Sequence, residues 1–440
     1  MKYLQCREWL EERRKNMGSV PGLDEVNRLL DEFERPDRDL RFIHIAGTNG
    51  KGSIGYLLEH SLANNKIKTG RFLSPAVTDE REIILVNGKI VPKIIWERSL
   101  SEIILRVEEK DLKATAFEIE FVLSLLIFKE LNCELVILEC GMGGKLDATN
   151  ATESTLVDII SSISIDHCNF LGNTLKDISL HKFGIMKPGS KNVVLSVQKP
   201  EICDYFDEYI KDNDLKCNVL WCEKSRIKGK IDKKSVNKDW IISYKDRKDY
   251  ILALKGYNQL ENAACVFDTL DILMKEGYQI KENGVKKAFR EAKWSARFEI
   301  INKENTFVLD GAHNIDAVHR LFENINLYFT NRRLIYIMGM YKDKAFEEVV
   351  SFCAPFAKAI VTVTPKDGAR AIDAFDLGKC VREYNENVTA SDSYEEALEI
   401  ASLLADKKDV ILIFGSLSFM GDFERLLLSD KMLLKEKRMK

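Results

Sequence analysis

The sequence predicts an α/β protein in two domains, residues 1–295 and 296–440, the first on a mostly parallel sheet and the second smaller. Three observations carry this reading. Residues 41–200 alternate short β-rich runs with helical patterns, as where RFIHIAG passes through a Gly-rich turn into SIGYLLEHSLANN, and such alternation indicates a sheet covered by helices. The alternation restarts near Arg297, as FVLDGAHN, LIYIMGM, KAIVTVTP and VILIFGS with helical stretches between them. A chain of 440 residues also exceeds what one hydrophobic core ordinarily supports. The boundary is therefore placed between Trp294 and Arg297, and no repeat or low-complexity tract interrupts either half.

Taken in order, MKYLQCREWLEERRKNM reads as an amphipathic helix with Tyr3, Leu4 and Leu10 as its apolar positions. It carries charge throughout and lacks the apolar segment of a signal peptide. ELVILEC (134–140) and TLVDIISSISI (155–165) are near-continuous apolar runs, the pattern of buried central strands. Each runs into a loop rich in Gly, Asp, Asn or His, and in open α/β sheets ligands collect beyond the carboxyl ends of strands. Residues 215–255 are Lys-rich and weakly periodic, with WIISY and YILAL as peripheral strands. Helices are expected at Asn258–Lys275 and Gly284–Ala292, followed by WSARFEII.

Bulk chemistry excludes several classes. The 66 basic and 69 acidic residues are interspersed, for a net charge of -3, so there is no basic field for nucleic acid. Ten cysteines occur without a Cys-x-x-Cys pair, as expected of reduced thiols in the cytoplasm. Apolar runs such as Phe121–Phe128 fall short of the ~20 residues a bilayer needs. The expectation is a cytoplasmic monomer with no membrane or nucleic-acid partner.

Ile43 to Ser53 reads IHIAGTNGKGS, a strand entering Gly47, Thr48, Asn49, Gly50, Lys51, Gly52 and Ser53 at the start of a helix. Glycines let several N–H groups converge on one phosphate, the helix N-terminus adds positive potential, and Lys51 supplies a mobile cation. A hydroxyl of Thr48 or Ser53 can reach the Mg²⁺ that accompanies ATP. The spacing departs from the common G-x4-G-K-[ST] loop, since only Thr48 and Asn49 separate Gly47 from Gly50. The fold class thus becomes an N-terminal P-loop-type ATPase domain with a smaller C-terminal Rossmann-like α/β domain.

Glu139 closes the run ELVILEC ahead of GMGGKLDATN, where a carboxylate can hold Mg²⁺ directly or through water. The next run ends in Asp166 and His167. A solvated strand-end Glu and a structural His are the plain alternatives, but both residues leave the same sheet edge as the Gly-rich loop. Ser74, before Pro75, offers a hydroxyl to a metal shell or simply starts a turn. Lys182 is either part of this site or one more lysine on a helix surface.

Together HIAGTNGKGS, the SP-containing loop ending in VNG, ECGMGGKLDATN, SIDH, LHKFGIMKPG, WSARFEI and VLDGAHN resemble the folylpolyglutamate synthase and dihydrofolate synthase family of Mur-type ligases, in the family's order, from about residue 41 to 421. The resemblance implies that ATP phosphorylates a substrate carboxylate and that the amino group of L-glutamate attacks the acyl phosphate. It implies ATP phosphates on Thr48, Asn49, Gly50, Lys51, Gly52 and Ser53, and two Mg²⁺ ions near Ser74, Glu139 and His167. Lys182 matches a lysine that the family carries as a carbamate. Thr115, Ala116, Phe117 and Glu118, with Leu146, Asp147 and Ala148, match the segment that holds the pterin of dihydropteroate. Asn262 resembles an adenine contact, and Arg297 and Asp310 resemble ATP contacts. His313 and Ser416 are expected on loops of the C-terminal sheet, either to hold incoming glutamate or orient phosphate, or simply as surface caps. The chain departs from the family at Ala76, where a His is common, at Lys145 for an Arg, and at Gly368-Ala369-Arg370-Ala371 for a Pro-Arg-Ala segment. A ligase acting on both dihydropteroate and folates is the reading preferred, over a Mur-type ligase with another acceptor or a nucleotide-binding regulator without catalysis. Intact Lys51, Glu139 and His167 argue against the last.

Overall fold

Eight strands form the first sheet: β1 (Phe42–Ala46), β2 (Thr69–Phe72), β3 (Ile84–Val86), β4 (Lys89–Ile90), β5 (Leu135–Glu139), β6 (Val157–Ile160), β7 (Asn192–Leu195) and β8 (Asn218–Trp221), in the order β4-β3-β2-β5-β1-β6-β7-β8. Strands β2, β5, β1, β6, β7 and β8 are parallel, while β3 and β4 add an antiparallel edge. The computed structural model describes residues 2–232, 235, 237–366 and 370–429. The departure at Gly368 and Ala369 lies outside them.

Central strands are apolar throughout because both faces are covered. Ile43, Ile45, Ile137 and Ile159 pack against helices Lys51–Asn64 and Tyr257–Lys275. Phe42, Phe72, Val136 and Leu138 face helices Lys93–Glu109 and Ala116–Glu130 on the other side. That is the period-two alternation of a strand inside a three-layer arrangement. The helix Ala116–Glu130 buries most of its residues, Glu118 and Glu120 among them, since helices Tyr3–Met17 and Asp24–Glu32 pack over its outer side.

Three expectations change. The N-terminal helix buries Cys6 and Leu10 and half-buries Tyr3, leaving Leu4 63% exposed, so its stripe runs through Tyr3, Cys6 and Leu10, at helical spacing. Strand β6 ends at Ile160, and the following residues turn toward the Gly-rich loop through an isolated bridge between Asn49 and Ser162. The Lys-rich stretch is not merely peripheral. It forms a separate antiparallel sheet, β9 (Ile227–Ile231), β10 (Trp240–Tyr244) and β11 (Arg247–Leu252), whose Trp240, Ile242, Tyr244, Tyr250 and Leu252 enter the core. Tyr250 meets Phe267 edge-on at 4.9 Å, and Phe267 stacks on Phe289 at the same distance. Lys228, Lys230 and Lys248 stay exposed, whereas Lys245 reaches in to the buried Asp268 and Lys255 pairs with Asp239.

The last sheet runs β12 (Glu299–Asn302), β13 (Thr306–Leu309), β17 (Val410–Phe414), β14 (Leu334–Met338), β15 (Ala357–Thr362) and β16 (Val388–Ala390) in that spatial order, with only β12 antiparallel. Helices pack on both faces. The loops after β13 and β14 reach the carboxyl edge of the first sheet, as the contacts of His313, Asn314 and Lys344 demonstrate.

Candidate active site

The Gly-rich loop is shaped by contacts that exclude side chains. A Cβ on Gly47 (φ +145°) would lie 1.8 Å from Ser161 Oγ, and one on Gly50 (φ +97°) 2.5 Å from Asn262 Oδ1. Helix Lys51–Asn64 then begins with no side-chain cap, so the N–H groups of its first turn are free to meet an anion. Lys51 Nζ curls back onto Gly47 O at 3.0 Å and Thr48 O at 3.3 Å. Thr48 and Asn49 are committed to architecture: both backbone N–H groups donate to Ser162 O, Thr48 Oγ1 donates to Ser164 O at 3.0 Å, and Asn49 Nδ2 donates to Asp316 at 3.1 Å. Ser53 Oγ is buried and accepts from Gln259 Nε2 at 3.2 Å.

Glu139 sits at the end of β5, 7% exposed. Among the described residues its carboxylate has no hydrogen bond or ion pair; a Cβ on Gly52 would stand 3.6 Å from its Oε2. Burial raises its pKa, and Lys51, Arg71 and Arg297 pull the other way. A carboxylate this dry costs several kcal/mol to ionise, at order of magnitude, unless a cation answers it. His167 follows β6 in the left-handed region (φ +54°). Burial, then the neighbouring Lys344, depress its pKa to about 3, leaving the imidazole neutral with a lone pair to offer. Ser74 leaves the same edge, since β2 and β5 pair in parallel from Thr69–Leu135 to Phe72–Leu138. Among the described residues no group of three or more His, Cys, Asp or Glu could hold a metal alone. The Glu139 carboxylate and the Ser74 hydroxyl are oxygen donors of the kind Mg²⁺ takes, with waters and nucleotide phosphates sharing its shell, and the neutral imidazole of His167 is the less usual donor.

Lys182 is not a surface lysine. Its side chain is buried, donates to Gly47 O at 2.9 Å, and has a pKa lowered to about 7 by burial and by Lys51.

The pterin-matching segment behaves differently. Thr115 and Glu118 form a capping box: Glu118 Oε2 accepts from Thr115 N at 2.6 Å and Oγ1 at 2.8 Å. Asp147 is buried and accepts from Met142 N, Thr149 N and Thr149 Oγ1. Ala116 and Ala148 are buried, which leaves Phe117, half-buried against Phe72 at 5.5 Å, and the exposed Leu146 to offer surface.

Across the cleft, Arg297 lies between Ala296 (φ +56°) and Phe298 (φ +51°), two non-glycine residues in the left-handed region. Such strain persists only where surroundings enforce it. Asp310 does so here, accepting from Phe298 N and Ala312 N at 2.8 Å each. Burial raises the Asp310 pKa while Arg297 opposes the rise. Ser416 Oγ accepts from Ser418 N at 3.2 Å. Asn262 donates to Gln259 at 2.9 Å and lines a small recess with Asn49, Gly50, Asn258, Glu261 and Arg320.

Two family descriptions match the chain: "Mur ligase middle domain" over residues 45–270 and "Mur ligase, glutamate ligase domain" over 296–417. A probable dihydrofolate synthetase of Schizosaccharomyces pombe is 30% identical over 93% of this chain and 99% of its own. The chain belongs to the folylpolyglutamate and dihydrofolate synthase family of Mur ligases. The dihydrofolate synthase/folylpolyglutamate synthase of Bacillus subtilis is 29% identical over 97% of this chain and 99% of its own. In fold, the Mycobacterium tuberculosis folylpolyglutamate synthase complexed with ADP and AMPPCP superposes with a TM-score of 0.86 at 24% identity, over 97% of this chain and 98% of that one.

In this Mur ligase the structure adds several residues to the sequence-based candidates. Asp166 gathers Lys344 at 2.5 Å, Asn314 at 3.1 Å and His313 at 3.5 Å. Although burial alone would raise its pKa, His313 and Lys344 hold it well below the usual carboxylate range. Asp166 and Asn314 adjoin His167 and His313 in SIDH and GAHN, which is a usable hint. Lys344, Asp316 and Arg320 stand on a loop and a helix with nothing to distinguish them.

Proposed function

We propose that this ligase joins L-glutamate to the carboxylate of dihydropteroate and of reduced folates, using ATP and Mg²⁺ and passing through an acyl phosphate. The observation that carries the reading is Glu139: a buried carboxylate with no donor among the described residues, set against the start of the phosphate-loop helix and within the field of Lys51 and Arg297. Relatives that carry the dihydrofolate and folylpolyglutamate synthase names along nearly their whole length support the substrate class. The same reading divides the chain at residues 295 and 296, between the two matched segments.

In this mechanism the first-turn N–H groups and Lys51 hold the β- and γ-phosphates, with the adenine on the side of Asn262. A substrate carboxylate oxygen attacks the γ-phosphorus and ADP leaves. Arg297, fixed by Asp310, balances charge on the transferring group. The amine of glutamate then attacks the acyl carbon, phosphate departs, and the amine gives up a proton. Glu139, His167 and Ser74 would hold the Mg²⁺ ions, two in number, which supply charge neutralisation between phosphate and carboxylate. His313 and Ser416 would help hold incoming glutamate, and Phe117 would offer its ring to the pterin. Lys182 is set up to become a carbamate: its neutral amine adds to CO₂ with loss of a proton, and a pKa near 7 makes that amine available at neutral pH.

The purified protein should release ADP only when glutamate and a pterin carboxylate are both present. If neither dihydropteroate nor tetrahydrofolate supports turnover in a side-by-side assay, the folate reading fails.

A further inference from the structure

Where the two parallel sheets meet, a lysine from the second occupies the corner of the first that carries His167. Lys344, in the segment between β14 and helix Phe346–Cys353, places Nζ 2.5 Å from Asp166 Oδ1 and 3.5 Å from His167 Nε2. The contact is enclosed, with the two side chains of the ion pair 7% and 6% exposed. Asn314 Nδ2, 3.1 Å from Asp166 Oδ2, and His313 Nε2, 3.5 Å from the same oxygen, close the other side.

An ammonium has only N–H groups to give, so His167 can meet it only through the lone pair of Nε2. A metal ion bound at that nitrogen uses the same lone pair. One lone pair serves one partner at a time, and a divalent ion repels an ammonium strongly where water is scarce. The carboxylate of Asp166, the negative charge next in sequence to His167, is taken up by Lys344 as well.

We propose that Lys344 is a resident cation of the metal site, holding the Asp166–His167 corner in this conformation and having to withdraw from Nε2 when a divalent ion loads. The occupant it competes with is a hard divalent cation such as Mg²⁺ or Mn²⁺, and the proposal rests on the reading of His167 as a metal ligand. Lys344 is then a positioning residue: it keeps the corner assembled and sets how readily the metal enters, without touching the reacting atoms.

The test is Mn²⁺ binding to the intact protein, followed by loss of the free Mn²⁺ electron paramagnetic resonance signal, with the metal alone and again with AMPPNP. Lys344→Met should bind Mn²⁺ alone roughly tenfold more tightly than wild type, in the range of ordinary coupling between sites. Lys344→Arg, which keeps the charge, should stay close to wild type. Lys344→Gln repeats the neutral substitution should the Met variant fail to fold, with thermal melts to check. Wild-type or weaker Mn²⁺ affinity in the folded neutral variant overturns the proposal. His167→Ala separates the two readings. If it weakens Mn²⁺ binding while Lys344→Met does not tighten it, only the resident cation is wrong; if it leaves binding unchanged, the ligand assignment fails and takes the proposal with it.

Discussion

The carboxyl edge of the first sheet and the pterin-matching segment beside it treat polar groups in opposite ways. At the edge, Glu139 is buried with no donor among the described residues, His167 is kept neutral, and Lys182 has a depressed pKa. In the segment, Glu118 closes a capping box, and Asp147 accepts three hydrogen bonds within its own loop. Both regions are buried, so burial does not separate them. What separates them is whether the protein supplies the partner. Groups left short of a partner in a dry site await one from outside, whereas groups already satisfied hold the chain in place.

The largest effect expected from this contrast is at Glu139. Glu139→Gln should lower ADP release by about a thousandfold, the upper end of what loss of one strong charge-stabilising contact costs, while the melting temperature holds or rises because a buried charge has gone. Unchanged turnover would remove Glu139 from the mechanism. Lys182→Met should come next, with a loss on the order of a hundredfold, and wild-type activity should fall when CO₂ is stripped. Because the amine charges as pH falls through about 7, re-activation by CO₂ should be slower at pH 6 than at pH 8. A pH-independent rate would argue against a carbamate.

The contrast predicts a different outcome in the satisfied region. Thr115→Ala should cost about 1 kcal/mol of stability through the lost cap, read as a lower melting temperature, with the KM for ATP unaltered. A large loss of turnover with normal stability would make Thr115 a substrate ligand after all. The smallest effect concerns His44, fully buried with Nε2 2.8 Å from Thr149 Oγ1 and its pKa lowered to about 3, first by burial and then by Lys187. Unfolded, it titrates near 6.5, so between that value and about 3 the unfolded chain binds the extra proton. Its contribution is therefore intact above pH 6.5 and declines as pH falls toward 3. Asp158, raised to about 6 by burial, works in the opposite direction. Denaturation midpoints from pH 7 to pH 4 should drop less steeply in His44→Asn than in wild type.

Much of the architecture is legible from the chain because its determinants are local. Apolar runs such as ELVILEC mark strands covered on both faces, and Gly47 and Gly50 occur where the backbone requires positive φ. The strand expected over 155–165 is shorter, since an apolar run does not tell where a ladder stops and a loop contact begins. WIISY is less legible than ELVILEC: the stretch around it is weakly periodic, and only the partner, Phe267 and its neighbours, shows that Trp240, Ile242 and Tyr244 belong to the core.

The sequence by itself determined the two α/β sheets, the Gly-rich loop and the family, since hydrophobic period, glycine placement and motif order are properties of neighbouring residues. Only the tertiary structure decided which polar groups are spent on architecture and which are left to react. Asn49 meets Asp316 across 267 positions, and Lys344 meets Asp166 across 178. No local pattern encodes such a contact, because its energy depends on burial and charge at a point where distant segments converge.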